Sequence, residues 1–180
     1  MQEGFYGEPE SWSGGFYELT LALGEPDDAR LDRALRAVWS SERLEGPWAR
    51  RDRAVGPRLE PGLAALDSSG GGHLHGWAWL RDGVGTVCGT YVTRHVEGLD
   101  WLVFYLPLGG LGRVDARVGA YPFADVSTSA SWRRPLDTWL RALGDAIHGF
   151  EPTDDELRAI DEDTAALALG GALRYRLGMP

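Results

Sequence analysis

Residues 100–112, DWLVFYLPLGGLG, constrain the fold more than any other stretch, because an unbroken apolar run stops abruptly at Pro107 and a glycine cluster. Aromatic and branched residues without alternation predict a strand covered on both faces. Pro107, Gly109, Gly110 and Gly112 predict where it must leave the sheet. A strand of that kind needs partner strands and covering layers, so the chain is expected to fold as a globular domain.

The partner strands are read from the residues just upstream. Residues 73–81 form one strand, Asp82-Gly83 supplies turn chemistry, residues 86–96 form a second strand, and a turn over 97–100 leads into the apolar run. Hairpin loops with an even residue count place odd positions of one strand opposite even positions of the next. One face of this meander would then carry Leu74, Gly76, Ala78, Leu80, Val87, Gly89, Tyr91, Thr93, His95, Leu102, Phe104 and Leu106. Glycine and alanine in mid-sheet leave room for a helix, so this is the expected core side. The other face would carry His73, His75, Trp77, Trp79, Cys88, Thr90, Val92, Arg94, Trp101, Val103 and Tyr105.

Elsewhere, residues 16–23 alternate with period two and predict a half-buried strand. Pro26, Asp27 and Asp28 open a helix to about residue 40, with Leu31, Ala34, Leu35, Val38 and Trp39 on its apolar face. Pro47 breaks the pattern, residues 48–55 are expected as a polar edge strand or loop, and 58–72 as a connection. Residues 113–125 look irregular, and residues 127–131 look like a capping region. A second helix is expected over 133–148 with Pro135 near its start, and Thr153-x-x-Glu156 opens a third reaching about residue 168. Residues 172–177 are a closing strand or a last helical turn, and residues 1–14 an arm whose Phe5, Tyr6 and Trp12 are available to dock on the body. The expected class is α+β in one domain, 1–180: a mainly antiparallel sheet, made of the N-terminal strand and a meander over 73–107, packed against two or three helices.

Composition narrows function by exclusion. Acids outnumber bases 27 to 18, for a net charge of -9, which disfavours nucleic acid and favours a basic protein partner. Every basic residue is arginine, and the chain has neither lysine nor asparagine, which removes Schiff-base chemistry, a Walker-type lysine and asparagine-based catalysis. The single Cys88 forbids an internal disulfide, and no apolar stretch nears the roughly 18 residues of a membrane span. With glutamates and no basic-then-apolar segment near its start, the chain is expected in the cytoplasm without a membrane contact.

Two constellations carry chemistry. His73-x-His75 places two imidazoles on one strand face, and with Cys88 across the hairpin they would make three zinc ligands, or a thiol with His75 as its base. No fourth ligand is visible, and no cofactor is expected by default. Gly109-Gly110-Leu111-Gly112 reads as a turn, since the dinucleotide fingerprint is not completed. The acids of residues 154–163 read as helix-start charge. The second constellation is the mixture His73, His75, Trp77, Trp79, Arg94, Trp101 and Tyr105 on one sheet face, a composition enriched at interface hot spots. The expected function is therefore a small acidic protein-binding module without catalytic activity, similar in composition to inhibitor and immunity proteins, whose partner is a basic protein or a second copy. The alternative is a metal- or thiol-dependent small-molecule enzyme centred on His73, His75 and Cys88.

Overall fold

The computed structural model describes residues 3–52, 56–120, 126–148 and 173–177. A six-stranded sheet runs in the order β2-β3-β4-β5-β1-β6, where β1 is Phe16–Gly24, β2 Leu44–Trp48, β3 His73–Arg81, β4 Val84–Val96, β5 Leu99–Pro107 and β6 Leu173–Leu177. All neighbours are antiparallel except β1 and β6. With helices packed on this sheet, the fold is α+β. The apolar run of β5 is central, flanked by β4 and β1, which is why it is apolar on both faces. The last strand, β6, falls where a closing strand was one of the two readings. The expected third helix lies outside the described residues.

One face is sealed by helices. In α2 (Asp28–Trp39), Asp27 caps the start by accepting the Arg30 N–H at 2.9 Å, and Leu31, Ala34, Leu35, Val38 and Trp39 form the buried stripe. The long α5 (Val126–His148) adds Trp132, Leu136, Trp139, Leu140 and Leu143, with Trp139 set edge-on to Phe104 at 5.6 Å. These meet Tyr17, Leu19, Leu21 and Leu23 of β1, Leu74 and Ala78 of β3, and Leu102, Phe104 and Leu106 of β5. Each fully buried leucine contributes about 2 kcal/mol. The Trp39 ring lies on Gly76, where a Cβ would overlap it, so the mid-sheet glycine serves the close helix approach its position predicts. α5 starts at Val126 rather than near residue 133, so Pro135 falls inside the helix, where its ring nitrogen cannot donate back to the Ser131 carbonyl.

The opposite face is covered by the N-terminal arm. Its short helix α1 (Glu3–Gly7) and a tight turn over Pro9–Trp12 bring Phe5, Tyr6 and Trp12 onto Trp48, Trp77, Val87 and Tyr105, making a second, smaller core. Other local differences have packing causes. Pro47 lies within β2, an edge strand that shifts register between Glu45 and Trp48, the setting in which a sheet tolerates proline. The 58–72 connection contains α3 (Leu63–Ser68), whose Ala65 and Leu66 are buried. The glycine cluster after β5 is not a turn: it is the helix α4 (Leu108–Val114). There the Gly109 and Gly110 backbones pass so close to Glu10, Ser11 and Thr86 that a Cβ on either would overlap them. α4 closes the sheet end between the two cores, with Leu111 in the larger and Val114 against the smaller.

The expected register of β4 is overturned. Arg81 pairs with Val84 as an even loop requires, but Leu80 is an extra residue, and from Trp79↔Gly85 onward odd positions face odd positions. At the other end Val96 pairs with Leu99, then Arg94 and His95 together oppose Asp100, and Thr93 pairs with Trp101. A bulge at each hairpin turns β4 over relative to both neighbours and leaves β3 and β5 as expected. Cys88, Thr90 and Val92 therefore face the helices, while Val87, Gly89 and Tyr91 join the His/Trp face.

Candidate functional site

The register decides which expected site residues meet. His73, His75, Trp77 and Trp79 follow one another along β3, and Tyr105 joins them through the row His75, Gly89, Tyr105, Glu18 across β3, β4, β5 and β1. Gly89 makes that row possible, because the Tyr105 ring lies over it. The His73 and His75 rings stack 6.2 Å apart. Cys88 lies on the other side of the sheet in the helix-packed core, fully enclosed, where burial pushes its thiol far above the ordinary value. It is joined to neither histidine, and among the described residues no group of three histidine, cysteine or carboxylate side chains gathers around a common point. The proposed His73, His75 and Cys88 set is thus not assembled in this register.

The aromatic face is largely closed. His75 is 7 % exposed and Trp77 and Tyr105 are each 1 % exposed beneath the arm, while His73 and Trp79 are half-buried at its margin. Trp12 stands edge-on over His75 at 5.2 Å, and the Arg51 guanidinium lies 5.3 Å from the Trp12 ring. Burial, with the Arg51 charge and His73 beside it, lowers the His75 imidazole to about 4 from 6.5, and burial raises the Tyr105 phenol. Among the described residues, His73 Nδ1, His75 Nδ1 and Tyr105 Oη have no hydrogen-bond partner. Both imidazoles are therefore neutral at pH 7, and the lowered value makes His75 a weaker base than a free imidazole.

Arg94 is not on this face. Its Nη1 meets Asp28 of α2 at 2.7 Å, and its Nε and Nη2 take Asp100 at 3.1 Å and 3.0 Å. Burial alone would raise the Asp100 carboxyl, but the Arg94 hydrogen bonds outweigh it and hold it below the usual range. This clamp fixes the end of the β4–β5 hairpin, which runs past the start of β3 and carries residues 93–98 exposed. His95, Glu97 and Gly98 there have φ of 60°, 54° and 80°. Val96 is the one large hydrophobic side chain exposed among the described residues, at 44 %, and half-exposed Trp101 donates its Nε1–H to the Val96 carbonyl at 3.3 Å.

At the opposite end of β4 the arm leaves a recess of about 430 Å³ whose lining includes Phe5, Trp77, Trp79, Arg81, Gly85 and Arg113. Phe5 meets Trp77 edge-on at 5.3 Å, and Arg113 stacks 4.6 Å over Phe5 while donating to Glu8 and, at 3.0 Å, to Ser11 Oγ. Sequence reasoning missed Phe5, Arg81 and Arg113 as neighbours of Trp77. Only the aromatic content of the arm hinted at one of them. No family model, curated protein or solved structure matches this chain.

Proposed function

We propose that this chain is a cytoplasmic, non-catalytic protein-binding module that engages a basic partner through the exposed end of its β4–β5 hairpin. The observation that carries this reading is the clamped hairpin end itself. Val96 projects into solvent from a backbone already ordered by the Arg94, Asp28 and Asp100 contacts, so docking incurs little ordering cost. Exposed Glu97 adjoins Val96 in sequence, and exposed Asp28 is tied to the same hairpin through Arg94 with exposed Glu25 and Asp27 just before it in the chain, acidic groups that steer a positively charged surface. The net charge of -9 acts in the same direction and against nucleic acid. The absence of a helix long and apolar enough to cross a membrane, among the described residues, is compatible with this setting.

Co-purification of the tagged chain with the products of its neighbouring genes, followed by binding isotherms, tests the reading. A complex whose affinity falls steeply with salt and drops about 100-fold in Val96→Asp, equivalent to near 3 kcal/mol, is expected. A complex indifferent to Val96→Asp and to salt overturns it. Light scattering over a concentration series separates a second copy from a foreign partner.

A further inference from the structure

We propose that the recess between Phe5, Trp77, Trp79, Arg81 and Arg113 is a binding site for a small aromatic acid, its ring held by the aromatic walls and its carboxylate by the arginines. Three observations converge there. First, the volume of about 430 Å³ lies in the range of small-molecule pockets, and three of its walls are aromatic rings. Second, the Trp77 indole, 1 % exposed, has an Nε1–H without a hydrogen-bond partner among the described residues, lying directly over Gly85, which also lines the recess. A buried donor left without an acceptor costs about 1–3 kcal/mol, and an acceptor brought in by a ligand recovers that. Third, among the described residues the lining holds two arginines and no carboxylate, in a chain where acids outnumber bases 27 to 18. Arg113 is pre-positioned by Phe5, Glu8 and Ser11, whereas Arg81 is exposed and, among the described residues, makes no hydrogen bond or ion pair, its charge being felt at longer range by Asp115, so its guanidinium is available to take a bidentate anion.

The same contacts explain why the arm belongs to the site. Phe5 is its outer wall and rides on α1, so a ligand bound against Phe5 and Trp77 ties the arm to β3. Binding and arm docking must therefore strengthen each other by the same factor.

The test is a titration of the nitrogen-15-labelled chain with indole-3-acetate, using indole and inorganic phosphate as comparators, read at the Trp77 Nε1–H resonance. The expected result is a saturable shift with indole-3-acetate, at least about tenfold weaker binding of indole, and a further loss of about tenfold in Arg81→Gln, each tenfold being one increment of 1.4 kcal/mol. Arg81→Gln changes an exposed side chain and is expected to leave the melting temperature within about 2 °C of the parent's, a control that separates loss of binding from loss of fold. Amides of residues 5–12 exchange more slowly in the bound state. No saturable shift, equal affinity for indole and its acid, saturation by phosphate alone, or an unaltered affinity in Arg81→Gln would each overturn the proposal.

Discussion

Burial beneath Trp12, with Arg51 nearby, lowers the His75 imidazole to about 4 from an ordinary 6.5, and the sign of its effect on stability follows. The unfolded chain takes up the proton first as pH falls, so the full contribution is present above 6.5 and is lost on the way down to about 4. A shift of that size is worth about 3 kcal/mol. Urea unfolding from pH 7 to pH 4 is expected to show this loss in the parent chain and its absence in His75→Gln, with the carboxylates common to both cancelling in the difference. Cys88 gives the complementary prediction. Its thiol is enclosed between sheet and helices, so an aromatic disulfide reagent is expected to label it at the rate of global unfolding and not faster. Rapid labelling of the native chain would mean that Cys88 is not where the β4 register puts it. At this scale the sequence was informative in part: His73-x-His75 did predict two rings on one face, and they stack. That Cys88 would not join them depended on a bulge at Leu80, and nothing about a leucine between Trp79 and Arg81 announces an extra residue.

Among the elements, α4 shows how far packing overrides local preference. Glycine is a poor helix former, and a helix with Gly109, Gly110 and Gly112 has little propensity of its own. Its glycines are not equivalent. A Cβ on Gly110 would overlap Thr86 and Ser11, whereas nothing lies within 4 Å of one on Gly112. Gly112→Ala is thus expected to raise stability by about 1 kcal/mol and Gly110→Ala to lower it by about 2 kcal/mol, both measured by chemical denaturation. The hairpin end supplies a second contrast. Arg94→Ala strands the 1 %-exposed Asp100 carboxylate and is expected to cost about 2 kcal/mol, with little rescue by lysine, which cannot reproduce the bidentate geometry. A loss below the error of the measurement would show that water replaces Arg94 freely. The faces of β3 and β5 were legible because alternation within a strand survives any register. The face of β4 was not, because it depends on two bulges whose residues, Leu80 and the Arg94-His95 pair, carry no glycine or proline.

Across the whole molecule, one sheet separates two cores of unequal size. The larger is enclosed by α2 and α5, and the smaller depends on a few arm residues, chiefly Phe5, Tyr6 and Trp12. Removing residues 1–14 is expected to leave the larger core folded while uncovering Trp77 and Tyr105, seen as a red shift of tryptophan emission and dye binding at the exposed face. Coincident loss of both cores in one transition at low denaturant would contradict that division. The α+β class and the central β5 were readable because hydrophobic period and punctuation are local signals. The arm's destination was not, since Phe5 contacts Trp77 through pairing decisions made far along the chain.

The position of β1 has a consequence for how the protein is made. Its antiparallel neighbour begins with Phe16 against Pro107, and its parallel neighbour with Tyr17 against Leu173. A ribosome therefore releases β1 long before either edge of it has a partner, and the strand waits with Leu19 and Leu21 uncovered while α2, β3 and β4 emerge. Sheet closure of this kind is slow relative to local helix and hairpin formation, so the nascent chain spends its most aggregation-prone interval with its earliest strand unclaimed.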